Sequence, residues 1–396
     1  MNCEPELVIY FRDPVTHAAG FAVIDTLSTG VAYAATRLQR GLKWSDLAPL
    51  ARVATIRFQL ARVPLGGARV GLDYDPNAAD ADEVLGRFLT ALSPYLQTSL
   101  SLGPDAGLTV ERLESVLAKF NLPWRMTAVQ QRQRWATSRW QTYLSILDGI
   151  VDGERLRDRQ IPFSIAHAAL TVGRSIKEKP TACVVGSGGY ATQIALELIR
   201  LGVAVVAFGG NSVGLHAPTG IPAEILEASQ QGLAPSLKGR IRFITKAELY
   251  GVTADMLILA DPSDAVTIDN VGLIRASILI EAAANSITRS AEKVLNARNT
   301  LILPAFASTI GGVLLTNGAL YGEVTSSQEG LEFIGTQVQS IVEQLVRLSA
   351  TLNLPLRESG VRLAFHRWTV PPPGGVMAPD APIERVVEHA PFEVVE

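Results

Sequence analysis

The sequence predicts an α/β protein: an N-terminal α/β domain, a doubly wound and mostly parallel sheet, then C-terminal helices and a proline-rich tail. Three observations predict it. At 396 residues the chain exceeds what one ordinary core organises, so two domains flanking a cleft are expected. Its residues are 47% hydrophobic and 18% charged, with 33 glycines, which suits buried parallel strands written as continuous apolar runs. Finally, Thr181 to Phe208 reads as strand, glycine turn, helix and strand in immediate succession.

The elements follow in order. Glu6 to Asp13 and Ala19 to Thr26 alternate or run apolar around a turn, predicting an antiparallel pair of strands. Leu47, Leu50, Ala51, Ala54 and Phe58 recur at helical spacing behind Ser45 and Asp46, which can cap a helix over Leu47 to Phe58. The Pro64-Leu-Gly-Gly67 break precedes a strand at Arg69 to Tyr74, and Asp75-Pro76 separates it from a helix over Asp82 to Leu96. Thr109 to Phe120 is expected as another helix. Thr127 to Asp158, rich in Gln, Arg and Trp with heptad-like apolar spacing, reads as a lid or a subunit-contact helix. Ile165 to Ile176 forms a helix leading into strand-helix alternation that runs to about Leu320. Ser326 to Asn353 spaces its apolar residues as a long helix, and a shorter one follows to Trp368. The run Pro371-Pro-Pro-Gly-Gly375 and the acidic stretch after it cannot build a core. The expected domains are therefore 1–160, 161–350, a C-terminal helix at 351–370 returning to the first domain, and a tail at 371–396.

Within the second domain, Thr181 to Val185 is a short buried strand, Gly186-Ser187-Gly188-Gly189-Tyr190-Ala191 the turn, and Thr192 to Leu201 the helix. This is the order of a Rossmann unit, with Val203 to Phe208 as its second strand. Gly186 permits the tight turn, Gly188 lets backbone approach a pyrophosphate, and Ala191 lets helix pack on strand. The helix N-terminus favours negative charge. The expected cofactor is NAD or NADP. A NAD site usually offers an acid at the tip of the second strand, whereas this chain has Gly209-Gly210-Asn211-Ser212. Two readings stay open: room for a 2′-phosphate held by Asn211, Ser212 or His216, or a weakened adenosine contact.

Other function classes find little support. Thirty-five basic and 38 acidic residues leave a formal charge of -3, with no drive toward nucleic acid or an anionic membrane. Cys3 and Cys183 lie too far apart in sequence to suggest a disulfide framework or a metal cluster, so no metal is expected. The N-terminus lacks a signal pattern, and no apolar run reaches the ~18 residues a membrane helix requires; a cytoplasmic protein without a membrane span is expected. In the first domain, Gly66-Gly67-Ala68-Arg69 presents a cation before a strand, and Arg57 precedes it by twelve residues. Guanidinium pairs grip carboxylates; Arg52, Arg57, Arg62 and Arg69 equally suit solvated charges on packed stems. Asp105, in the turn Gly103-Pro-Asp-Ala-Gly107, fits a turn former as well as a functional carboxylate. His167 lies on an apolar stretch and suits the core.

The set of motifs resembles the glutamate, leucine, phenylalanine and valine dehydrogenases from Glu6 to about Trp368. Thr36-Arg37-Leu38 is similar to the family's Gly-Gly-Thr-Arg-Met element, with Ala34-Ala35 where the family has its glycine pair. Gly66 to Arg69 with Asp75-Pro76 resembles the catalytic glycine-lysine loop, and Pro104-Asp105-Ala-Gly107 the Asp-Val-Gly-Thr turn. Gly214 to Gly220, Glu281 to Ala291 and Pro304 to Val313 resemble three later segments. The resemblance implies a two-domain homo-oligomer that uses NAD(P) to interconvert an amino acid and its 2-oxo acid. Asp105 matches the catalytic aspartate. Arg69 and Arg57 stand where the family has lysines, one polarising the substrate carbonyl and water and one binding its carboxylate. Ala166, Ala284 and Thr309 stand at the Thr, Asn and Asn positions near nicotinamide and substrate. Arginine remains charged where a buried lysine can exchange protons, so Arg69 is expected to act by fixed charge and Asp105 as base, with Arg57 and Arg37 on the substrate. The implied function is an NAD(P)-dependent oxidoreductase acting on an amino acid, 2-oxo acid or related imine. The alternative is a catalytically degenerate homologue with a nucleotide-binding, structural or regulatory role.

Overall fold

The computed structural model describes residues 4–210, 213–230, 241–261 and 265–369. Asn211, Ser212 and the 371–396 tail lie outside the described residues. Two compact units divide after Trp140, twenty residues before the expected boundary at 160.

The first unit begins with the antiparallel strands β1 (Leu7–Arg12) and β2 (Ala19–Ile24). There follow β3 (Ala32–Leu38), α1 (Trp44–Leu60), β4 (Gly66–Asp73), α2 (Ala81–Ala91), α3 (Ser93–Thr98), β5 (Leu100–Pro104), α4 (Val110–Lys119) and α5 (Thr127–Gln133), and the division falls within α6 (Thr137–Asp148). The sheet order is β1-β2-β4-β3-β5, and β3 runs parallel to both β4 and β5. Neither β3 nor β5 was foreseen, because Ala-Tyr-Ala-Ala-Thr-Arg-Leu and Leu-Ser-Leu-Gly-Pro lack the β-branched runs that announce strands. The expected helix over Asp82 to Leu96 is two helices, since Leu92 ends α2 and Pro94 sits in the first turn of α3. Thr109 caps α4 by accepting from Arg112 N–H. One sheet face buries Ile24, Val70, Leu72 and Leu102 against Phe88 and Leu113. On the other, Phe21 and Val23 pack with Leu42, Leu47 and Ala51 around α1. Full burial of each large apolar side chain contributes ~1.5–3 kcal/mol.

The stretch Thr127 to Asp158, read as a lid or a subunit-contact helix, does not form one helix: Arg134 takes a left-handed conformation and ends α5. Its tryptophan content has an internal explanation. Trp124, Trp135 and Trp140 pack with ring centroids 5.4 to 6.3 Å apart, and the Arg125 guanidinium lies 5.0 Å from the Trp140 ring.

The second unit continues with β6 (Ile150–Val151), β7 (Glu154–Arg155), α7 (Leu156–Arg174), β8 (Thr181–Val185), α8 (Gly188–Arg200), β9 (Ala204–Gly209), β10 (Val213–His216) and α9 (Ala223–Gln230). Next come β11 (Arg242–Thr245), α10 (Lys246–Tyr250), β12 (Met256–Leu259), β13 (Ile278–Glu281), α11 (Arg289–Ala297), β14 (Leu301–Leu303), α12 (Ala305–Ser308), α13 (Gly311–Tyr321), α14 (Ser327–Leu352) and α15 (Leu356–Thr369). The large sheet has the order β11-β10-β9-β8-β12-β13-β14. From β9 to β14 neighbours are parallel, while β10 is antiparallel to both β9 and β11. The sheet is mostly parallel, as expected, with β10 running against its two neighbours. Cys183, at the middle of β8, is buried, and burial pushes its thiol well above the ordinary range.

Helix α7 starts nine residues before the expected Ile165, and a buried pair fixes it to α8. Arg159 Nε donates to Glu197 Oε1 at 2.6 Å and Nη2 to Oε2 at 3.1 Å. This bidentate geometry offsets the cost of taking both charges out of water. The last helix, α15, packs on α14 and β14. Among the described residues, no helix is long and apolar enough to cross a membrane.

Candidate functional site

In the second unit the glycine turn joins β8 to α8. Gly186 is wedged in place: a Cβ there would lie 2.8 Å from Ala260 Cβ and 3.0 Å from Ala191 Cβ. Gly188 has φ +79°, which favours glycine, and no heavy atom lies within 4 Å of where its Cβ would be. The backbone is thus tight on the protein side and open beyond Gly188, at the N-terminus of a 13-residue helix. A pyrophosphate requires such a cradle, so Gly186, Ser187, Gly188, Gly189, Tyr190 and Ala191 fit a dinucleotide. Tyr190 Oη donates to the Ala282 carbonyl at 2.7 Å.

Gly210 follows β9 and is pressed onto this turn, a Cβ there falling 2.7 Å from Ser187 Cβ and 3.0 Å from Gly186 C. The missing acid at the strand tip is therefore a steric matter as well as a chemical one. His216, considered for a 2′-phosphate, stands opposite Ala207 at the far end of β10 from Val213. Arg242 Nε donates to its Nδ1 at 3.4 Å, and burial lowers its pKa, with the Arg242 charge adding to the shift.

The segments after β13 and β14 are tied together. Ser308 Oγ donates to the Glu281 carbonyl, Ser164 Oγ donates to the Ser308 carbonyl at 2.7 Å, and Gly311 N–H donates to Ser164 Oγ at 3.1 Å. Arg357 of α15 donates to Glu281 at 2.7 Å and to Glu292 at 2.6 Å. Burial raises the Glu281 pKa against the opposing pull of Arg357. Ala166 is buried in α7, Ala284 half-buried beyond β13, and Thr309 Oγ1 donates to Ala305 O at 2.6 Å. Sequence reasoning missed Ser164, Ser308 and Arg357, whose role depends on contacts between elements distant in the chain.

In the first unit, β3, β4 and β5 place the candidates on one sheet face. The backbone register sets Ala35 beside Arg69 and Gly103, and Arg37 two residues further along β3. Gly67 lets α1 lie against this face: a Cβ would come 2.2 Å from Ala51 O and 2.3 Å from Thr55 N. Arg37 Nη2 donates to Asp105 Oδ1 at 3.2 Å and Nε to Oδ2 at 3.3 Å. Ala106 N–H donates to Oδ1 at 2.8 Å. Arg37, expected on the substrate, is paired here with Asp105.

Arg69 Nη1 donates to the Ala68 carbonyl at 3.0 Å, while its buried Nε has no hydrogen-bond partner among the described residues. Burial lowers its pKa, Asp105 raises it and Arg37 lowers it again. The three charges thus share one electrostatic site. Tyr33, overlooked in the sequence, belongs to it: its hydroxyl lies 1.9 Å from where a Gly103 Cβ would be. Burial raises the Tyr33 pKa against the charges of Arg125 and Arg69. Arg57 sits half-buried in the last turn of α1. Among the described residues, no group of His, Cys, Asp and Glu is arranged to hold a metal ion.

The comparisons agree with this architecture. The chain is 26% identical over 292 residues to an NADP(+)-dependent glutamate dehydrogenase of Pyrobaculum calidifontis, covering 69% of this chain and 65% of that protein. It is 23% identical over 327 residues to an NAD-specific glutamate dehydrogenase of Staphylococcus aureus, covering 79% of this chain and 75% of the relative. The crystal structure of hetero-hexameric glutamate dehydrogenase from Thermus thermophilus superposes with TM-score 0.66 at 25% identity, covering 92% of this chain and 88% of that one. Residues 163–369 match the model of the Glutamate/Leucine/Phenylalanine/Valine dehydrogenases. With the fold, the glycine turn and more than half of its length in agreement, the chain belongs to the Glutamate/Leucine/Phenylalanine/Valine dehydrogenase family.

Proposed function

We propose that the chain is an NAD(P)-dependent oxidoreductase acting on the CH–NH2 group of an amino acid, or on the matching 2-oxo acid or imine. The observation that carries this reading is a glycine turn open at Gly188, in the same chain as a carboxylate, Asp105, held by Arg37 in the field of Arg69. NADP- and NAD-dependent glutamate dehydrogenases among the relatives support it. Gly186 to Ala191 and Gly210 hold the dinucleotide, with Asn211, Ser212 and Thr309 as further candidates; when bound, it supplies the hydride acceptor.

The chain's own groups do the rest. Arg57 and Arg69 hold the substrate carboxylate by fixed charge. Arg69 also stabilises negative charge on the substrate oxygen and passes no proton. Asp105 is the base. A carboxylate offers about four acceptor positions, and Ala106 and Arg37 occupy three of those on Asp105. The remaining position is for a proton of water or of the substrate amine. The same reading includes a cytoplasmic homo-oligomer.

A second reading, a nucleotide-binding homologue without turnover, is favoured by the ion pair that engages Asp105 and by arginine at position 69. Cofactor reduction across an amino-acid panel separates the two. Turnover abolished by Asp105→Asn is expected. Bound dinucleotide with no turnover across the panel, unchanged by Arg69→Lys, would establish the second reading instead.

A further inference from the structure

We propose that Tyr190 is the floor on which the nicotinamide ring rests, an inference that depends on the dinucleotide reading above. Helix α8 is capped at Ser187, so Gly188 and Gly189 fill its first two positions and Tyr190 its third. A side chain in the first turn leans back toward the helix N-terminus, which here carries the phenol over the carboxyl ends of the strands. The hydroxyl bonds the Ala282 carbonyl at 2.7 Å.

Ala282 follows β13, and β12 lies between β13 and β8. Adjacent strands are ~4.8 Å apart, so a side chain that starts above β8 and ends at β13 must pass over the end of β12. The β8/β12 boundary is also where the strand order reverses, the place at which a dinucleotide crosses a doubly wound sheet. One half of the ligand extends over β9, where Gly210 lies against the turn; the other extends over β12 and β13, where Tyr190 lies.

Tyr190 is 37% exposed although anchored at both ends, by its helix and by its hydroxyl. An aromatic face fixed at the level of the strand ends requires little further ordering to accept a planar ring. Beyond it, the half-buried Ala283 and Ala284 have only methyl side chains. The ligand chemistry that suits this half of the crevice is a flat heteroaromatic ring, held by stacking.

The test compares ligands with and without that ring. Dissociation constants are measured by calorimetry for NADH, NADPH, ADP and 2′,5′-ADP with the parent protein, Tyr190→Phe and Tyr190→Ala. Loss of stacking in Tyr190→Ala is expected to weaken the preferred dinucleotide by about three- to tenfold while leaving its adenosine diphosphate counterpart within about twofold. Tyr190→Phe, which keeps the ring and loses the anchor, is expected to fall between. Tighter dinucleotide binding in Tyr190→Ala would show the ring to be an obstacle and overturn the proposal. Unchanged dinucleotide binding overturns it too, as does equal weakening of both ligand classes, which would mark damage to the turn. A parent protein that binds none of the four ligands refutes the dinucleotide reading itself.

Discussion

Arg69 and Asp105 are chemically legible in the sequence as a cation and a turn carboxylate, yet their relation is not. Sixty-eight positions separate Arg37 from Asp105, and only the parallel pairing of β3 with β5 brings them together. The glycines around them carry different loads. At Gly67 an added methyl meets the backbone of α1, which cannot yield without lifting the helix from the sheet. At Gly103 it meets the far end of Tyr33, which can swing away. Gly67→Ala is therefore expected to cost roughly 1–3 kcal/mol through overpacking, and Gly103→Ala less, both read from chemical denaturation. Equal losses would mean that Tyr33 is held as firmly as the helix backbone.

Among elements, long periodic helices were the most readable: Ser326 to Asn353 brackets α14 within a residue at either end. The alanine-rich β3 and the short β5 gave no strand signal, because their stability comes from neighbours in the sheet rather than local preference. Helix α15 is a further case. Its spacing announces a helix, but nothing local announces that Arg357 reaches Glu281 and Glu292. Arg357→Ala is expected to destabilise the second unit by up to about 3 kcal/mol at neutral pH, since it strips a buried carboxylate of its counter-charge. The sign with pH follows from the raised pKa of Glu281. A carboxyl raised in the folded state gives its full stability below the unfolded value and loses it as pH rises through the folded value. The gap between variant and parent should thus be smaller at about pH 5 than at about pH 8; a gap that widens toward acid would exclude this account.

For the whole molecule, the doubly wound domain was legible because strand, turn and helix signals coincide within thirty residues of sequence, Thr181 to Gly210. The division into units was displaced, since α7 begins well before the sequence suggests and belongs with the second unit. Two compact units with separate cores predict two calorimetric transitions. A dinucleotide at 100 times its Kd should stabilise the second unit by about 2.7 kcal/mol, moving one transition and leaving the other. A single transition that shifts as a whole would show the units to unfold together. Cys183 adds a consequence of its own. A thiol sealed in the middle of β8 and disfavoured as thiolate is closed to alkylating reagents for as long as that strand stays paired. The innermost strand of the seven-stranded sheet therefore carries a built-in chemical clock, whose rate of labelling records how often the core of the second unit comes apart.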